Sequence, residues 1–341
     1  MLKFGLVGVG THARWAVMEA IEKTSKHCEL VAACDLRGEN LEPLSRQGLA
    51  IFTDFDEMIR KVEMDALYVC TPCDAHFGPA VAGLRAGLHV ICEKPLADTV
   101  AQCRNMIAEA EKADRKLVVT FENRYHPDIR KIKEWITAGY LGKVEAVHTH
   151  YYTGAYKPFG EEAARRKRLL DLAGSLDCGI HAFDYIRYFV GGEWQDIRAM
   201  GAWFDDDLLN APHITVQGRL TSGVIVTVTY SYAYTAYIKA TATASCGITI
   251  VGKKGVISHC TDYEKPADMK LTSEDLVESF PIESVPHKLA IGWLVDDFAD
   301  FIEGRKKTWP AELATGHDGL VAQLVVDEAL TQTRTQKADR G

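Results

Sequence analysis

The stretch Met1–Ala13, MLKFGLVGVGTHA, decides the fold. Leu2–Val9 is an apolar run of strand length. It flows into Gly8-Val9-Gly10-Thr11-His12-Ala13, of the form G-x-G-x-x-A. The first glycine permits a tight turn, the second lets a backbone approach a pyrophosphate, and the small third residue lets a helix pack closely on the strand. The amides that open that helix, at Thr11 and His12, then face phosphate oxygens. Six such residues are weak evidence alone. Context strengthens them: a strand precedes, a helical pattern follows, and Asp35 ends the next apolar run, Cys28–Asp35, 22 residues after Ala13. A carboxylate there accepts hydrogen bonds from the adenosine ribose hydroxyls, with Leu36 and Arg37 beside it. This favours NAD; Arg37 makes NADP the alternative by offering a cation to a 2′-phosphate.

Outward from this turn the pattern repeats. Apolar runs at Ala66–Cys70, His89–Cys92 and Lys116–Thr120 alternate with helical candidates near Ala13–Thr24, Phe55–Lys61, Ala75–Ala86 and Thr99–Ala113. Continuous apolar strands separated by helices predict a parallel sheet buried on both faces. Two strand ends are chemically loaded: Thr71-Pro72-Cys73-Asp74-Ala75-His76 and Glu93-Lys94-Pro95. Ligands of open α/β sheets bind beyond the carboxyl ends of strands, so a lysine there is more than a solvated charge. Cys70-x-x-Cys73 lacks the second pair or helix start that a metal or redox motif needs, and no metal is expected.

The remainder reads differently. A helix is expected from Asn123 through Ile136, closed by Ala138-Gly139. Strands are expected at Lys143–Tyr152, Asp196–Trp203, His213–Leu220, Gly223–Tyr234, Gly247–Gly252 and Gly255–Cys260, with turn residues that suggest antiparallel pairing. Tyr230, Tyr232 and Tyr234 share one strand face and read as packing or interface. Asp177 and His181 fall on one face of a helix, with Asp184 three residues on and Ser175 as its candidate cap. Arg165-Arg166-Lys167-Arg168 reads as a solvated face, or as a place where Arg165 and Arg168 grip an anionic substrate bidentately. Helices return at Leu289–Glu303 and Gly316–Thr333.

Composition bounds the partners. The 341 residues suffice for about two domains. Lys and Arg number 39 and Asp and Glu 47, a net charge of −8, which disfavours nucleic acid and anionic membranes. No apolar run reaches the ~18 residues of a membrane span, and the first residues do not read as a secretory signal. Nine scattered cysteines fit reduced thiols, so a cytoplasmic site is expected.

With these motifs in order (Gly8-x-Gly10, Thr71-Pro72 with His76, Glu93-Lys94-Pro95, Asn123-Arg124-Tyr125 with Pro127, Asp177-x-x-x-His181 with Asp184), the chain resembles the Gfo/Idh/MocA oxidoreductases over nearly its whole length. It departs from the common pattern at Cys73, usually Asn, at Ala173-Gly174-Ser175, where Gly-Gly is commoner, and at Ala13. The resemblance implies an α/β plus α+β architecture. An N-terminal Rossmann domain, residues 1–122, precedes an α/β domain, 123–341, built on a large, mostly antiparallel open sheet. The C-terminal helices are free to pack back on the first domain. It also implies a homodimer or homotetramer formed through that sheet.

The activity so implied is hydride transfer between a secondary hydroxyl of a sugar or polyol, neutral or anionic, and NAD or NADP. His181 is the expected base. Lys94 is expected to stabilise the reacting oxygen, or to act as base itself if burial lowers its pKa, and Asp177 to orient the substrate. Thr71, Pro72, His76, Glu93, Lys94 and Asn123 complete the expected cofactor contacts. Tyr152, with Arg165, Arg168, Lys94, Asp177 and His181, completes those of the substrate. An NAD-dependent glycoside hydrolase working by transient oxidation and a non-catalytic NAD-binding sensor are the alternatives.

Overall fold

The computed structural model describes residues 1–45, 48–153, 176–204, 208–233, 244–262, 268–282 and 285–339. They form two compact units: Met1–His126 with Val285–Gln323, and Pro127–Ser284 with Leu324–Gly341.

The first unit is built on six parallel strands: β1 (Leu2–Val7), β2 (Cys28–Cys34), β3 (Ala50–Phe52), β4 (Ala66–Val69), β5 (His89–Cys92) and β6 (Leu117–Val119). Their order is β3-β2-β1-β4-β5-β6, so the chain reverses direction across the sheet between β1 and β4, the place where doubly wound sheets bind ligands. Phe4, Leu6, Tyr68, Ile91 and Val118 are fully buried because helices cover both faces. The segment after the glycine turn is wound more widely than an α-helix, as π-helical turns at Ala13–Met18 and Ala20–Thr24. The helix His287–Ile302 packs against it through Ile291, Leu294 and Phe298 in one apolar cluster. A Cβ on Gly292 would lie 2.4 Å from Thr24 Cγ2, so this glycine sets how closely the two elements approach.

Helix ends follow local chemistry. Asp54 caps Phe55–Lys61 by accepting from Glu57 N–H at 2.7 Å, and Thr99 caps Val100–Ala113 by accepting from Gln102 N–H at 3.2 Å. The single helix expected from Asn123 is instead a 3₁₀ turn, Glu122–Tyr125, followed by the helix Pro127–Thr137. Pro127 explains the break: it disfavours helical backbone at His126 and suits a first helical position.

Among the described residues the second unit holds an eight-stranded sheet of β7 (Val144–Tyr152), β8 (Trp194–Ala202), β9 (His213–Leu220), β10 (Ile225–Ser231), β11 (Ser245–Gly252), β12 (Gly255–Asp262), β13 (Asp268–Ser273) and β14 (Val277–Pro281). The order is β14-β13-β12-β11-β7-β10-β9-β8, and all pairs are antiparallel except β7 with β10. β13 and β14 escaped the sequence reading because each is short and broken by charged residues, Asp268 and Lys270 in β13 and Glu278 in β14. One sheet face is apolar (Val147, Val216, Val226, Val228, Ile250, Ile257, Leu271) and meets the helix Leu176–Val190, where Tyr185 Oη lies 3.0 Å from Thr149 Oγ1. The opposite face is studded with the exposed Met200, Ile225, Val251, Val256 and Val277. The edge strand β8 does not present bare backbone. Gln332 accepts from Ala199 N–H and donates to Ile197 C=O, and Gln336 accepts from Gly201 N–H and donates to Ala199 C=O. Side-chain amides thus pair an edge that another strand would otherwise find.

Candidate active site

The carboxyl ends of β1, β2, β4, β5 and β6 bring the first unit's candidate residues together. At β1, Gly8 has φ +92°, and a Cβ there would lie 2.5 Å from Cys70 C=O, so only glycine lets the turn pass the end of β4. Gly8 N–H donates to Cys34 C=O at 2.8 Å. A Cβ on Gly10 would meet no protein atom within 4 Å; its surroundings are open rather than packed. Asp35 ties the turn to β2: Val9 N–H donates to Oδ2 and Arg37 N–H to Oδ1, each at 2.8 Å. Thr11, Leu36 and Arg37 are exposed beside it, Leu36 by 90%.

This cradle fits a dinucleotide. The open backbone at Gly10 suits a pyrophosphate, and Thr71 Oγ1, at the end of β4, is buried without a hydrogen-bond partner. A carboxylate held as Asp35 is held would bind ribose hydroxyls and repel a 2′-phosphate. Asp35→Ser is expected to move the NADPH/NADH preference toward NADPH by about ten- to a hundredfold, the worth of a hydrogen bond to a charged group. Fluorescence titration of both reduced dinucleotides measures it; an unchanged ratio means that Asp35 serves only the turn.

His76 is buried, and its two nitrogens each lie 2.8 Å from a backbone carbonyl: Nδ1 from Pro95 and Nε2 from Thr71. Burial lowers its pKa, so a neutral ring donates to one carbonyl at a time. The imidazole staples the Thr71-Pro72 loop to the Lys94-Pro95 loop, whose peptide bond is cis. Here it spends both nitrogens on protein, holding the loops that a cofactor would touch.

Behind β5 lies a charged cluster. Glu93 is buried, yet His12 Nε2 sits 3.3 Å from its Oε1 and Tyr68 O–H donates to the same oxygen at 2.9 Å. Burial pushes its pKa up, but His12, Lys94 and Tyr68 together hold it below the ordinary carboxylate range. Burial likewise works to lower His12, and the Glu93 hydrogen bond and charge outweigh it, raising the imidazole. Glu122 behaves oppositely: burial, aided by the negative charge of Glu93, pushes it up to about 8. His287 lies with Nδ1 3.4 Å from Glu122 Oε1, and burial followed by the charge of His12 pushes it down to about 4. Two buried carboxyls therefore adjoin Lys94, one ionised and one protonated near neutral pH. Potential ligand atoms of His12, Cys70 and Glu93 fall within 4.8 Å of one another. Within this trio His12 and Glu93 are hydrogen-bonded to each other, and burial, then Glu93, pushes the Cys70 thiol well up.

Asn123 falls in the 3₁₀ turn that this cluster shares, and the turn is pinned within the unit. Arg124 pairs with Asp318 at 3.3 Å, and Tyr125 O–H donates to Asp297 at 3.1 Å. Sequence reasoning missed Glu122, His287, Tyr68 and Trp15. Glu122 stood beside a marked motif; His287 carries no local signal and becomes visible only when its helix returns to the sheet.

In the second unit, His181 and Asp184 are buried on the helix Leu176–Val190, with 6% and 1% exposure. The helix includes Asp177, whose side chain lies outside the described residues, as do Arg165, Arg168 and the candidate cap Ser175. Tyr152 lies in the strand β7. It faces the open side of the sheet, its ring 4.8 Å from His150 and 6.1 Å from His213. Its neighbour Tyr151 occupies the side that meets the His181 helix, stacked at 5.1 Å on Tyr230, which in turn underlies Gly179. A strand alternates sides at every residue, so the two neighbouring tyrosines lie on opposite faces of the sheet. Tyr230 is packing, as expected; Tyr234 lies outside the described residues.

Comparison with known proteins agrees with this arrangement. Residues 2–121 match the family model described as the oxidoreductase family with NAD-binding Rossmann fold, and residues 129–258 match the GFO/IDH/MocA C-terminal domain. The chain is 30% identical over 192 residues to the D-glucoside 3-dehydrogenase of Escherichia coli K12, covering 56% of this chain and 54% of that one. It is 29% identical over 212 residues to the myo-inositol 2-dehydrogenase of Thermotoga maritima, covering 60% of each. These matches span little more than half of the relatives' own length. An Agrobacterium radiobacter oxidoreductase, solved with NAD+, L-tartaric acid and magnesium, superposes with TM-score 0.81 at 19% identity, over 98% of this chain and 97% of that one, a likeness of fold. With both of its units matched in order, the chain belongs to the Gfo/Idh/MocA oxidoreductase family, and its first unit is an NAD-binding Rossmann domain.

Proposed function

We propose that the protein is a dehydrogenase that passes a hydride from a secondary hydroxyl of a sugar or polyol to NAD. The observation that carries this reading is Lys94, set at the end of β5 between an ionised Glu93 and a protonated Glu122, beside a glycine turn open for a dinucleotide. Bound NAD supplies the hydride acceptor. Gly8, Gly10, Thr11 and Asp35 would hold it, with Thr71, Glu93 and Asn123 around it. Lys94 would take the hydroxyl proton and stabilise the alkoxide that forms, His181 is the other candidate base, and Asp177 would orient the substrate. Relatives named for a glucoside and for myo-inositol support a neutral ring substrate. They lend no support to a glycosidase or a sensor.

The test is a screen of polyols, aldoses, glycosides, uronates and sugar phosphates with NAD and with NADP, followed by absorbance of the reduced cofactor. Reduction of NAD by a ring polyol or sugar is expected; none with any hydroxyl substrate overturns the reading. The apolar side chains on the open sheet face also support a homo-oligomer in which a second copy covers that face. Ile225→Asp together with Val256→Asp is then expected to yield monomers in light scattering, and a wild-type protein that is already monomeric overturns that assembly.

A further inference from the structure

Oxidation of an alcohol leaves a proton to be removed once the hydride and its electron pair have gone. Lys94 is half-buried just past the carboxyl end of β5, and a proton that it takes up there must still reach water. One is built into the first unit. The Glu122 side chain is 5% exposed and the His287 side chain 29%, and their Oε1 and Nδ1 are 3.4 Å apart. The other edge of the His287 environment is aromatic and borders solvent: the His12 ring centroid is 5.2 Å away and that of Trp15, a half-exposed residue, 5.4 Å. A buried carboxyl thus connects to an imidazole that reaches the surface.

The geometry points to a proton conduit, Lys94 to Glu122 to His287 to water, that carries off the proton released from the substrate hydroxyl. It rests on the dehydrogenase reading above. In each turnover the Lys94 amine takes the hydroxyl proton, the Glu122 carboxyl gives its own to His287 Nδ1, the imidazolium loses one to water, and the Glu122 carboxylate is reprotonated from the Lys94 ammonium. No other bond is made or broken, and one proton leaves per hydride transferred. The groups facing Glu122 are Glu93, Lys94 and His12; those facing His287 are His12, Glu93, His126 and Lys94. This setting suits a relay. The negative Glu93 makes a second permanent charge at Glu122 costly, so the carboxyl is reprotonated readily. Positive charge at His12 works against a lasting charge at His287, so that imidazole passes the proton on. Glu122 and His287 act through Lys94 and need touch neither substrate nor cofactor.

Glu122→Gln keeps the shape of the side chain and abolishes its titration. His287→Ala opens the path at its surface end. Both variants are expected to bind NADH as the wild type does and to turn over at least about tenfold more slowly, the lower range for an assisted proton transfer. Added imidazole is expected to restore His287→Ala in proportion to its concentration, which repair of a merely structural defect would not do. A readout without turnover is the infrared C=O stretch of a protonated carboxylic acid in the protein alone. It should be present at neutral pH, fade as pH rises through about 8, and be missing from Glu122→Gln. Undiminished, buffer-independent turnover in both variants, or no such band at neutral pH, overturns the conduit while the dehydrogenase stands. A wild-type protein that reduces NAD with no hydroxyl substrate overturns the dehydrogenase reading and this role with it, even where the infrared band is found.

Discussion

Gly8→Ala is expected to abolish dinucleotide binding and to destabilise the first unit, whereas Gly10→Ala is expected to fold as the wild type does and to lose only the dinucleotide. The two glycines stand two residues apart in one turn, yet they are glycine for different reasons. At Gly8 the backbone has φ +92° and a Cβ would sit 2.5 Å from the carbonyl that ends β4. The conformational penalty, about 1–2 kcal/mol, adds to an overpacking cost of about 1–3 kcal/mol, because backbone rather than a flexible side chain blocks the way. The melting temperature should fall by about 5–15 °C. At Gly10 no protein atom lies within 4 Å of the added carbon. Its cost appears only when something approaches that backbone closely. Calorimetry and NADH fluorescence on the pair separate the roles. A Gly10→Ala protein that binds NADH with wild-type affinity would mean that the open backbone is not where the pyrophosphate lies.

This contrast shows how far the sequence carries. Gly8, Gly10, Asp35 and the ends of β4 and β5 are legible because each obeys a local rule: a turn, a strand end, a charge placed where ligands bind. The parallel sheet is legible for the same reason, since its buried strands are apolar without interruption. Tyr152 is the opposite case. Its strand is legible, but a face is decided by a shift of one residue, and the aromatic pair Tyr151-Tyr152 presents one ring to each face. The π-helical winding of Ala13–Thr24 leaves no trace, because its apolar spacing also suits an α-helix. His287 is least legible of all. Its meaning depends on Glu122, 165 residues earlier, and arises only because Val285–Gln323 returns to the first unit.

Lys94→Ala is expected to lower kcat by about 10²–10⁴-fold while NAD affinity survives. Two functions are at stake in this side chain, and they respond to different substitutions. If lysine supplies only a positive charge to the developing alkoxide, Lys94→Arg should retain turnover within about tenfold, because a guanidinium is also a cation and donor. If lysine also accepts the hydroxyl proton, arginine must fail nearly as badly as alanine, because a guanidinium does not give up its proton at accessible pH. The cluster around Lys94 argues for the second outcome. A side chain needed only as a fixed cation would be served best by fixed anions, and Glu93 alone, held ionised by His12 and Tyr68, provides one. The protonated Glu122 adds no charge at neutral pH. It is a costly group to bury, and it gains a use once Lys94 must hand a proton onward. Steady-state kinetics of the two variants, with NADH titrations alongside, decide the matter. Arginine turnover close to wild type would reduce Lys94 to a clamp and remove the reason for Glu122 to titrate.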